Sequence, residues 1–500
     1  MFSDVDQEIE LVRGIVAQRF PVYETRVTPQ AVQFLVNVDP ATMEAQFEDL
    51  RVELVPKNYI PTLTKDGGEH VILVQRRAPQ RFVGAHVNLV LLILTIATTT
   101  WAGAINWAGY ADVDWLTAEA FANGSLFFTL PLLAILSIHE MGHYVVAKRY
   151  KVHASLPFFI PAPLTFLGTF GAMISMRDPM PNRKALIDIG AAGPILGLIT
   201  AIPVTLIGLV LMSGDPRPAG PNAGGAIIIE LPFLYQILAQ FVPIPTNAIL
   251  HPTAFAGWVG LFVTALNLLP AGQLDGGHVA RAVLGENGKY VSWAAIVLML
   301  GLGIFYPGWL IIAVFILLLG ARHPPPLNDL TKLDVKRHAL AFGALAVLLL
   351  SFVAIPVQVI EPEAGVQFED LGAPGVPVTE LNETVIGGGA EPYTFRVVNT
   401  GNVETNVTLT LDLLNLPNAG LNASIESVMV GNLTLAVNAD NASFVLDSGE
   451  WANVTLFLDA GAYSGLPDQD WLFHVKAHVA AQGVEPFDVA DPLRFTMHVA

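Results

Sequence analysis

Long runs of apolar residues dominate the middle of the chain. A helix that spans a bilayer needs about 20 such residues. The runs are residues 87–103, 126–147, 185–212, 254–269, 291–305, 309–320 and 338–357. Tyr306, Pro307 and Gly308 separate the fifth run from the sixth, and both runs are short, which predicts a tight helical hairpin. The pattern predicts a polytopic α-helical membrane protein with about seven spans.

The first 85 residues have shorter apolar periods and predict a small α+β domain. The expected helices are residues 4–19 and 40–54, and the expected strands are residues 31–38, 59–63 and 70–75. Asp39 precedes the second helix and is its expected N-cap. Asp66, Gly67 and Gly68 lie between the last two strands and predict a β-hairpin.

Residues 359–500 alternate apolar and polar positions in short segments, which predicts a β-sandwich. The expected strands are residues 395–401, 407–413, 427–430, 443–446, 454–458 and 471–475. The patterns thus divide the chain into three domains: residues 1–85, residues 86–358 and residues 359–500.

Composition excludes several classes of protein. Of 500 residues, 53% are hydrophobic and 14% are charged, whereas about 25% of residues are charged in soluble proteins. The absence of cysteine excludes disulfides, thiolate metal sites and cysteine nucleophiles. The net charge is −18, and residues 359–500 contain 3 basic and 19 acidic side chains. We therefore expect no nucleic-acid partner.

The basic residues predict which side of the membrane each domain occupies. They cluster at alternate ends of the apolar runs, at positions 76, 77, 81, 148, 149, 151, 177, 183, 184, 281, 289, 322, 332, 336 and 337, and Arg217 alone falls on the opposite side. Cytoplasmic loops carry the excess of Lys and Arg in membrane proteins. We therefore expect a multi-pass protein of the cell membrane with a cytoplasmic amino-terminal domain and an extracytoplasmic sandwich.

The second apolar run contains the sequence His139-Glu140-Met141-Gly142-His143. Side chains four residues apart share one face of a helix, so both histidines can bind one zinc ion, with Glu140 beside them as general base. A catalytic zinc needs a third protein ligand, and Asp275 at the end of the fourth run is the strongest candidate. Pro270 and Gly272 precede Asp275 and predict a broken helix that lines a cavity.

These motifs resemble the site-2 protease family, the zinc metalloproteases of regulated intramembrane proteolysis, and in particular its archaeal and plant chloroplast members. The resemblance rests on HEMGH (139–143), LGTFGAMISMRDPMPNRKALIDIGAAGPILG (167–197) and NLLPAGQLDGG (267–277). It covers roughly residues 85–320. It implies one Zn2+ per chain with His139, His143 and Asp275 as ligands. It also implies Glu140 as general base and Asn267 as the group that polarises the scissile carbonyl.

The resemblance further implies a membrane-dipping β-hairpin at residues 156–176, which are rich in Pro and Gly. This hairpin would offer an edge to an extended substrate, with Gly168 and Gly171 as substrate-binding residues. The implied partners are transmembrane protein substrates within the lipid bilayer. Gly190, Gly193 and Gly197 are expected to permit close helix packing.

Three alternatives accompany these expectations. Asn267 can form an interhelical hydrogen bond instead of contacting substrate. The chain can be a surface receptor or adhesin with a non-catalytic membrane core, although such a protein has no need to keep Glu140. It can also be a zinc transporter, although transporters usually contain internal repeats and none is found in this sequence.

Overall fold

The structure is a computed structural model that describes residues 4–77, 84–218, 220, 224–243, 248–413, 416, 419–463, 465 and 468–500. It divides into two compact units. The first unit contains residues 1–218 and 230–356, and the second contains residues 219–229 and 357–500. The candidate site lies within the first unit.

Residues 4–77 form two helices packed on an antiparallel sheet. The elements are α1 (Asp4–Ala17), β1 (Val22–Val27), β2 (Val32–Val36), α2 (Met43–Leu54), β3 (Tyr59–Asp66) and β4 (Glu69–Arg76). The strand order is β1-β2-β4-β3. Phe20, Phe34, Phe47 and Ile72 are buried in the core that the helices and the sheet share. The burial of these apolar side chains is the main stabilising contribution in so small a domain.

Two local expectations in this domain have different outcomes. Gly67 and Gly68 join β3 to β4 with φ angles of 57° and 94°, so the predicted hairpin is confirmed. The prediction that Asp39 caps α2 is wrong, because the helix begins at Met43 and Thr42 occupies the N-cap position. Asp39 instead accepts a hydrogen bond from the backbone N–H of Ala41 at 2.9 Å, within the turn that precedes the helix.

Most of residues 85–351 are helical. The helices are α3 (Ala85–Ala111), α4 (Ala118–Gly124), α5 (Leu130–Arg149), α6 (Arg183–Gly214), α7 (Phe233–Ala239), α8 (Pro252–Leu268), α9 (Asp275–Leu284), α10 (Gly288–Leu302), α11 (Gly308–Leu319) and α12 (Val335–Ser351). A π-helical turn, Ser125–Thr129, joins α4 to α5. One continuous helix therefore runs from Ala118 to Arg149.

Within the described residues, three helices are long and apolar enough to cross a bilayer, namely Ala85–Ala111, Ala118–Arg149 and Arg183–Gly214. α8 and α11 are apolar but contain 17 and 12 residues, or about 25 Å and 18 Å of helix. The hydrocarbon core of a bilayer is about 30 Å thick. The structure therefore supports a polytopic helical membrane protein, and every predicted apolar run overlaps a helix, although the last run, residues 338–357, extends six residues past the end of α12 at Ser351.

α6 lies at the centre of these helices and contacts α5, α8, α9 and α12. Small residues let the backbones approach closely where α6 crosses α8. A Cβ atom at Gly208 would lie 2.1 Å from the backbone nitrogen of Ala254, and one at Gly257 would lie 2.3 Å from Thr205 Oγ1. This is the packing that small residues provide in membrane helices, where lipid tails remove most of the hydrophobic driving force.

The predicted β-hairpin is present between α5 and α6. Its antiparallel strands are β5 (Phe158–Pro161) and β6 (Thr169–Met173). β5 packs against α3, while β6 contacts α5. Asn88 of α3 donates its Nδ2–H to the carbonyl oxygen of Leu156 at 2.8 Å, which fixes the start of the hairpin.

The described part of the second unit contains two packed sheets and a separate two-stranded sheet, which is formed by its first two strands. Its strands are β7 (Ile227–Ile229), β8 (Val357–Val359), β9 (Val366–Asp370), β10 (Glu380–Val385), β11 (Ala390–Asn399), β12 (Thr405–Asp412), β13 (Asn422–Val430), β14 (Leu433–Ala439), β15 (Asn441–Leu446), β16 (Trp451–Asp459), β17 (Gln469–Ala481), β18 (Val484–Asp488) and β19 (Leu493–Val499). One sheet has the order β10-β19-β17-β12-β15 and the other β14-β13-β16-β11-β9. The rings of Tyr393 and Phe495, one from each sheet, lie 5.0 Å apart in the shared core. The described residues thus form the predicted sandwich.

Candidate metal centre

α5 carries two buried histidines on one face. His139 and His143 are 4% and 6% exposed, and their Nε2 atoms lie 3.2 Å apart. Because an α-helix has 3.6 residues per turn, side chains four residues apart lie one above the other. The helical spacing seen in the sequence therefore brings both imidazoles to one point.

Asp275 approaches the same point from the start of α9. Its Oδ2 atom lies 3.3 Å from His139 Nε2 and 3.2 Å from His143 Nε2. The expected broken helix is present, because α8 ends at Leu268 and α9 begins at Asp275. The chain can turn back this tightly because a glycine follows: a Cβ atom at Gly276 would lie 2.0 Å from the carbonyl oxygen of Leu268.

The three candidate ligand atoms form a nearly equilateral triangle, with edges of 3.2 Å, 3.2 Å and 3.3 Å. Zinc bonds of about 2.0 Å in tetrahedral geometry place neighbouring ligand atoms about 3.3 Å apart. Two imidazoles and one carboxylate with a fourth position open are also the donor set of a catalytic zinc site. The residues present therefore fit a zinc ion.

The backbone of α6 orients His143. The Nδ1–H of His143 donates to the carbonyl oxygen of Ile189 at 2.7 Å, which leaves Nε2 free to act as a ligand. α6 comes this close because it has no side chain at the contact. A Cβ atom at Gly193 would lie 2.0 Å from His143 Nε2, and one at Gly197 would lie 2.9 Å from His139 Nδ1. The close packing expected from these glycines therefore serves the metal centre directly.

A carboxylate and an amide lie beside the triangle. Glu140 is 5% exposed, and its Oε1 atom lies 4.0 Å from His139 Nε2. The backbone of Ile174, just after β6, lies beside Glu140. The Nδ2 atom of Asn267 lies 3.2 Å from His139 Nε2. All five residues that the sequence assigns to chemistry therefore lie together.

The two glycines of the hairpin lie in different surroundings. Gly171 has a φ angle of 100° in β6, and a Cβ atom there would meet nothing within 4 Å. Gly168 has a φ angle of 72° and is buried against α3. Its carbonyl oxygen accepts hydrogen bonds from Thr98 Oγ1 at 2.6 Å and from the backbone N–H of Ala162 at 3.0 Å. Gly168 thus fixes the hairpin on α3, while Gly171 faces open space.

Charged residues fix the base of the hairpin. Asp178 accepts hydrogen bonds from Arg77 at 2.8 Å and from the backbone N–H of His153 at 2.9 Å. Burial by itself would raise the pKa of Asp178, but these bonds and the His153 ring outweigh it and hold the pKa below its ordinary value. Asp178 is therefore charged at neutral pH and links the end of β4 to the hairpin.

Sequence reasoning missed the backbone group that orients His143. The carbonyl of Ile189 acts through the main chain, so its side chain carries no chemical signal. The indirect signal is Gly193, one helical turn beyond Ile189. A glycine in the helix that packs against the metal motif indicates a backbone that approaches the ligands closely.

Residues 127–306 match the model of peptidase family M50. The Arabidopsis thaliana protein "Probable zinc metalloprotease EGY1, chloroplastic" is 31% identical over 248 residues, which are 47% of this chain and 44% of the relative. Its rice counterpart (Oryza sativa subsp. japonica) is 31% identical over 249 residues, or 47% and 42% of the two chains. "Probable zinc metalloprotease EGY2, chloroplastic" of Arabidopsis thaliana is 26% identical over 238 residues, or 44% and 40%. The chain thus spans less than half the length of these curated relatives.

Among solved structures, the "ASH / PapD-like domain of human CEP192 (PapD-like domain 7)" aligns with 27% of this chain and 84% of its own. The identity is 10% and the TM-score is 0.17, which is too low to support an argument about the fold.

The family match includes all the residues that meet at the candidate metal centre, from His139 on α5 to Asp275 on α9. It also includes the α6 glycines and the β5–β6 hairpin that surround them. The segment that matches the family model is thus the same segment that contains the candidate ligand atoms. Residues 127–306 are therefore similar to peptidase family M50, and the similar segment contains every residue of the candidate metal centre.

Proposed function

We propose that this chain is an intramembrane zinc metalloendopeptidase that cleaves transmembrane segments of membrane proteins. The observation that carries the proposal is the triangle of ligand atoms from His139, His143 and Asp275, with Glu140 beside it and apolar helices around it. Ionisable groups inside a membrane are costly and mark functional sites. Structural zinc sites have four protein ligands, whereas three ligands and an adjacent general base are typical of a hydrolase.

Each residue has its own task in this proposal. Zinc in such a site supplies Lewis acidity toward a peptide carbonyl and toward water. Glu140 takes a proton from the attacking water and transfers it to the amide nitrogen that leaves. Asn267 donates its Nδ2–H to the carbonyl oxygen, where negative charge develops. Glu140 is buried, so bulk water is excluded from its surroundings. Electrostatic interactions are stronger in such an environment of low dielectric constant.

The free edge of β6 is the proposed binding site for the substrate backbone. A transmembrane helix must unwind before it is cleaved, and its unwound N–H and C=O groups then need partners within the membrane. Strand addition to β6 supplies such partners. These partners lie close to Glu140, because Ile174, the residue after β6, lies beside Glu140. Gly171 leaves open space for the incoming chain, and Gly168 holds the hairpin in position.

The proposed arrangement has seven spans, with a cytoplasmic domain at residues 1–85, the protease core at residues 86–358 and an extracytoplasmic sandwich at residues 359–500. The chain has no cysteine, so single cysteines can be introduced as labels. Asp66 is exposed at the end of β3, and Asn432 lies in an exposed turn. An impermeant maleimide added to intact cells should label Asn432→Cys and should label Asp66→Cys only after lysis. The reverse pattern, or labelling of both in intact cells, would contradict the proposed topology.

Zinc content and peptide cleavage, measured together on the purified full chain, test the function. Wild type should hold about one zinc ion and cleave members of a panel of transmembrane peptides. Glu140→Gln keeps the ligands, so it should keep the zinc ion and lose cleavage by at least about 100-fold. Zinc in both proteins without cleavage by either would favour the receptor or the transporter. A wild-type protein without zinc would refute the metal site itself.

A further inference from the structure

A buried arginine of the amino-terminal domain binds the end of the helix that carries the metal motif. Arg51 of α2 is 2% exposed and donates to the carbonyl oxygens of Tyr150 at 2.9 Å and Lys151 at 3.4 Å, just beyond α5. Glu48 accepts two hydrogen bonds from the same guanidinium, at 2.7 Å and 2.9 Å, and balances its charge. A cation at the carboxyl end of a helix stabilises its last carbonyls and its dipole.

A short segment, residues 327–329, connects the same domain to the helix that carries Asp275; we call it the strap. The backbone N–H of Leu63 in β3 donates to the carbonyl oxygen of Leu327 at 2.7 Å. Two residues later, Asp329 accepts hydrogen bonds from both terminal nitrogens of Arg281 in α9, at 2.8 Å and 3.1 Å. Arg281 is 5% exposed and lies six residues after Asp275. A bidentate pair of this kind fixes orientation as well as distance.

The domain also reaches α6 and the hairpin. Glu44 of α2 pairs with Lys184 at the start of α6, at 2.6 Å. Arg77, which follows β4, pairs with Asp178 at the base of the hairpin, at 2.8 Å. The contacts of one small domain therefore reach four elements around the candidate metal centre: α5, α6 and the hairpin directly, and α9 through the strap.

We propose that the amino-terminal domain positions the metal centre, with Arg51 and Asp329 as positioning residues. This inference rests on the function proposed above and gives that domain a role in it. His143 and Asp275 lie on different helices, and metal–ligand distances tolerate errors of only about 0.2 Å. Tyr150 is seven residues beyond His143, or about 10 Å along the helix axis. A shift of the helix end at Tyr150 is therefore transmitted to the ligands through a rigid element.

The test compares Arg51→Met, Arg51→Lys and Asp329→Asn with a matched control, Arg19→Met, in the full-length protein. Arg19 forms its ion pair with Glu53 at 2.6 Å inside the amino-terminal domain. Zinc affinity is measured by competition with a chelator, kcat and KM are measured with a transmembrane peptide, and the thermal unfolding temperature is followed in parallel. Zinc affinity does not depend on catalysis, so it tests the positioning role separately from the proposed function.

We expect Arg51→Met and Asp329→Asn to weaken zinc binding and lower kcat by about 10- to 100-fold each, with KM within about twofold of wild type. Arg51→Lys, which keeps a cation at the helix end, should recover part of the loss. If one variant fails to fold, the other two carry the test. The proposal is overturned if the variants lower only the unfolding temperature and match Arg19→Met in zinc affinity. A wild type that binds zinc but cleaves nothing would refute the proposed function, and the order of zinc affinities would still decide the positioning role.

Discussion

Replacing Gly193 by alanine should disrupt the metal centre without changing any ligand. The added Cβ atom would lie 2.0 Å from Nε2, 2.4 Å from Cδ2 and 2.6 Å from Cε1 of His143. Real Cβ atoms essentially never come within 3.0 Å of another heavy atom in such contacts. The imidazole or the helix must therefore move by at least about 1 Å, which is five times the tolerance of about 0.2 Å for a metal–ligand bond.

α6 cannot relieve this clash by moving away. A Cβ atom at Gly208 would lie 2.1 Å from the backbone nitrogen of Ala254, and one at Gly190 would lie 2.6 Å from His278 Cβ, so α6 is in close contact with α8 and α9 as well. The imidazole of His143 therefore has to move. Changes that misplace a ligand through its surroundings weaken metal binding by about 10- to 100-fold. That loss corresponds to about 1.4–2.7 kcal/mol of binding free energy.

The assay measures zinc affinity by chelator competition and thermal unfolding in parallel, with two controls from the same helix. Gly208→Ala clashes with the backbone of α8 away from the ligands, so it should cost about 1–3 kcal/mol of stability and keep the zinc affinity of the folded protein. Gly214→Ala meets nothing within 4 Å and should change neither quantity. The reasoning is refuted if Gly193→Ala binds zinc within about twofold of Gly214→Ala.

Three further variants test other parts of the site. Asp275→Asn removes the charged ligand and should lower zinc affinity by more than about 100-fold; unchanged affinity in the chelator competition would exclude Asp275 as a ligand. Gly171→Val places a side chain at the open edge of β6 and strains the backbone there, because a φ angle of 100° disfavours a β-branched residue; it should raise KM for a transmembrane peptide while zinc content stays constant, and an unchanged KM would argue against strand addition there. Asp178 has a lowered pKa in the folded state, so its contribution to stability is present above its unfolded pKa, about 3.9, and is lost as the pH falls through the folded value. Asp178→Asn should therefore unfold at a lower temperature than wild type at pH 7, and the difference should vanish in acid; a constant difference would contradict this account.

The sequence predicted that the three candidate ligands meet, because their signal is local or is a charge that is costly to bury. His139 and His143 are one helical turn apart, so the helix alone brings them together. Asp275 is distant in sequence, but a carboxylate next to a broken apolar helix is costly inside a membrane unless it has a polar or metal partner. The structure brings its Oδ2 atom to within 3.3 Å of both histidines. The cost of burying an unpaired carboxylate thus predicts a contact between Asp275 and the histidines, although these residues are far apart in the sequence.

The contacts that surround the ligands had no such signal. Arg51 lies about 100 residues from the carbonyls that it binds, and its own helix shows an ordinary amphipathic pattern. The strap makes its contacts through backbone hydrogen bonds and the side chain of Asp329. Such contacts leave no hydrophobic pattern in the sequence. The sequence pattern also missed several strands, among them β1, β9, β10, β14, β18 and β19, of which β18 is short and contains Pro486. It missed the π-helical turn before α5 as well, because this turn has the composition of an α-helix. In each case tertiary contacts override local propensity.

α6 contributes none of the candidate ligands, and yet it contacts two of them, His139 and His143. Helices with ordinary side chains pack with their axes about 8–10 Å apart, which would keep a backbone carbonyl away from an imidazole on the next helix. Gly193 and Gly197 remove the side chains at this contact, so the carbonyl of Ile189 reaches His143 Nδ1 at 2.7 Å. We therefore expect the face of α6 toward α5 to govern zinc affinity and the face toward α8 to govern stability. Substitutions along this helix should separate the two properties according to the face on which they lie.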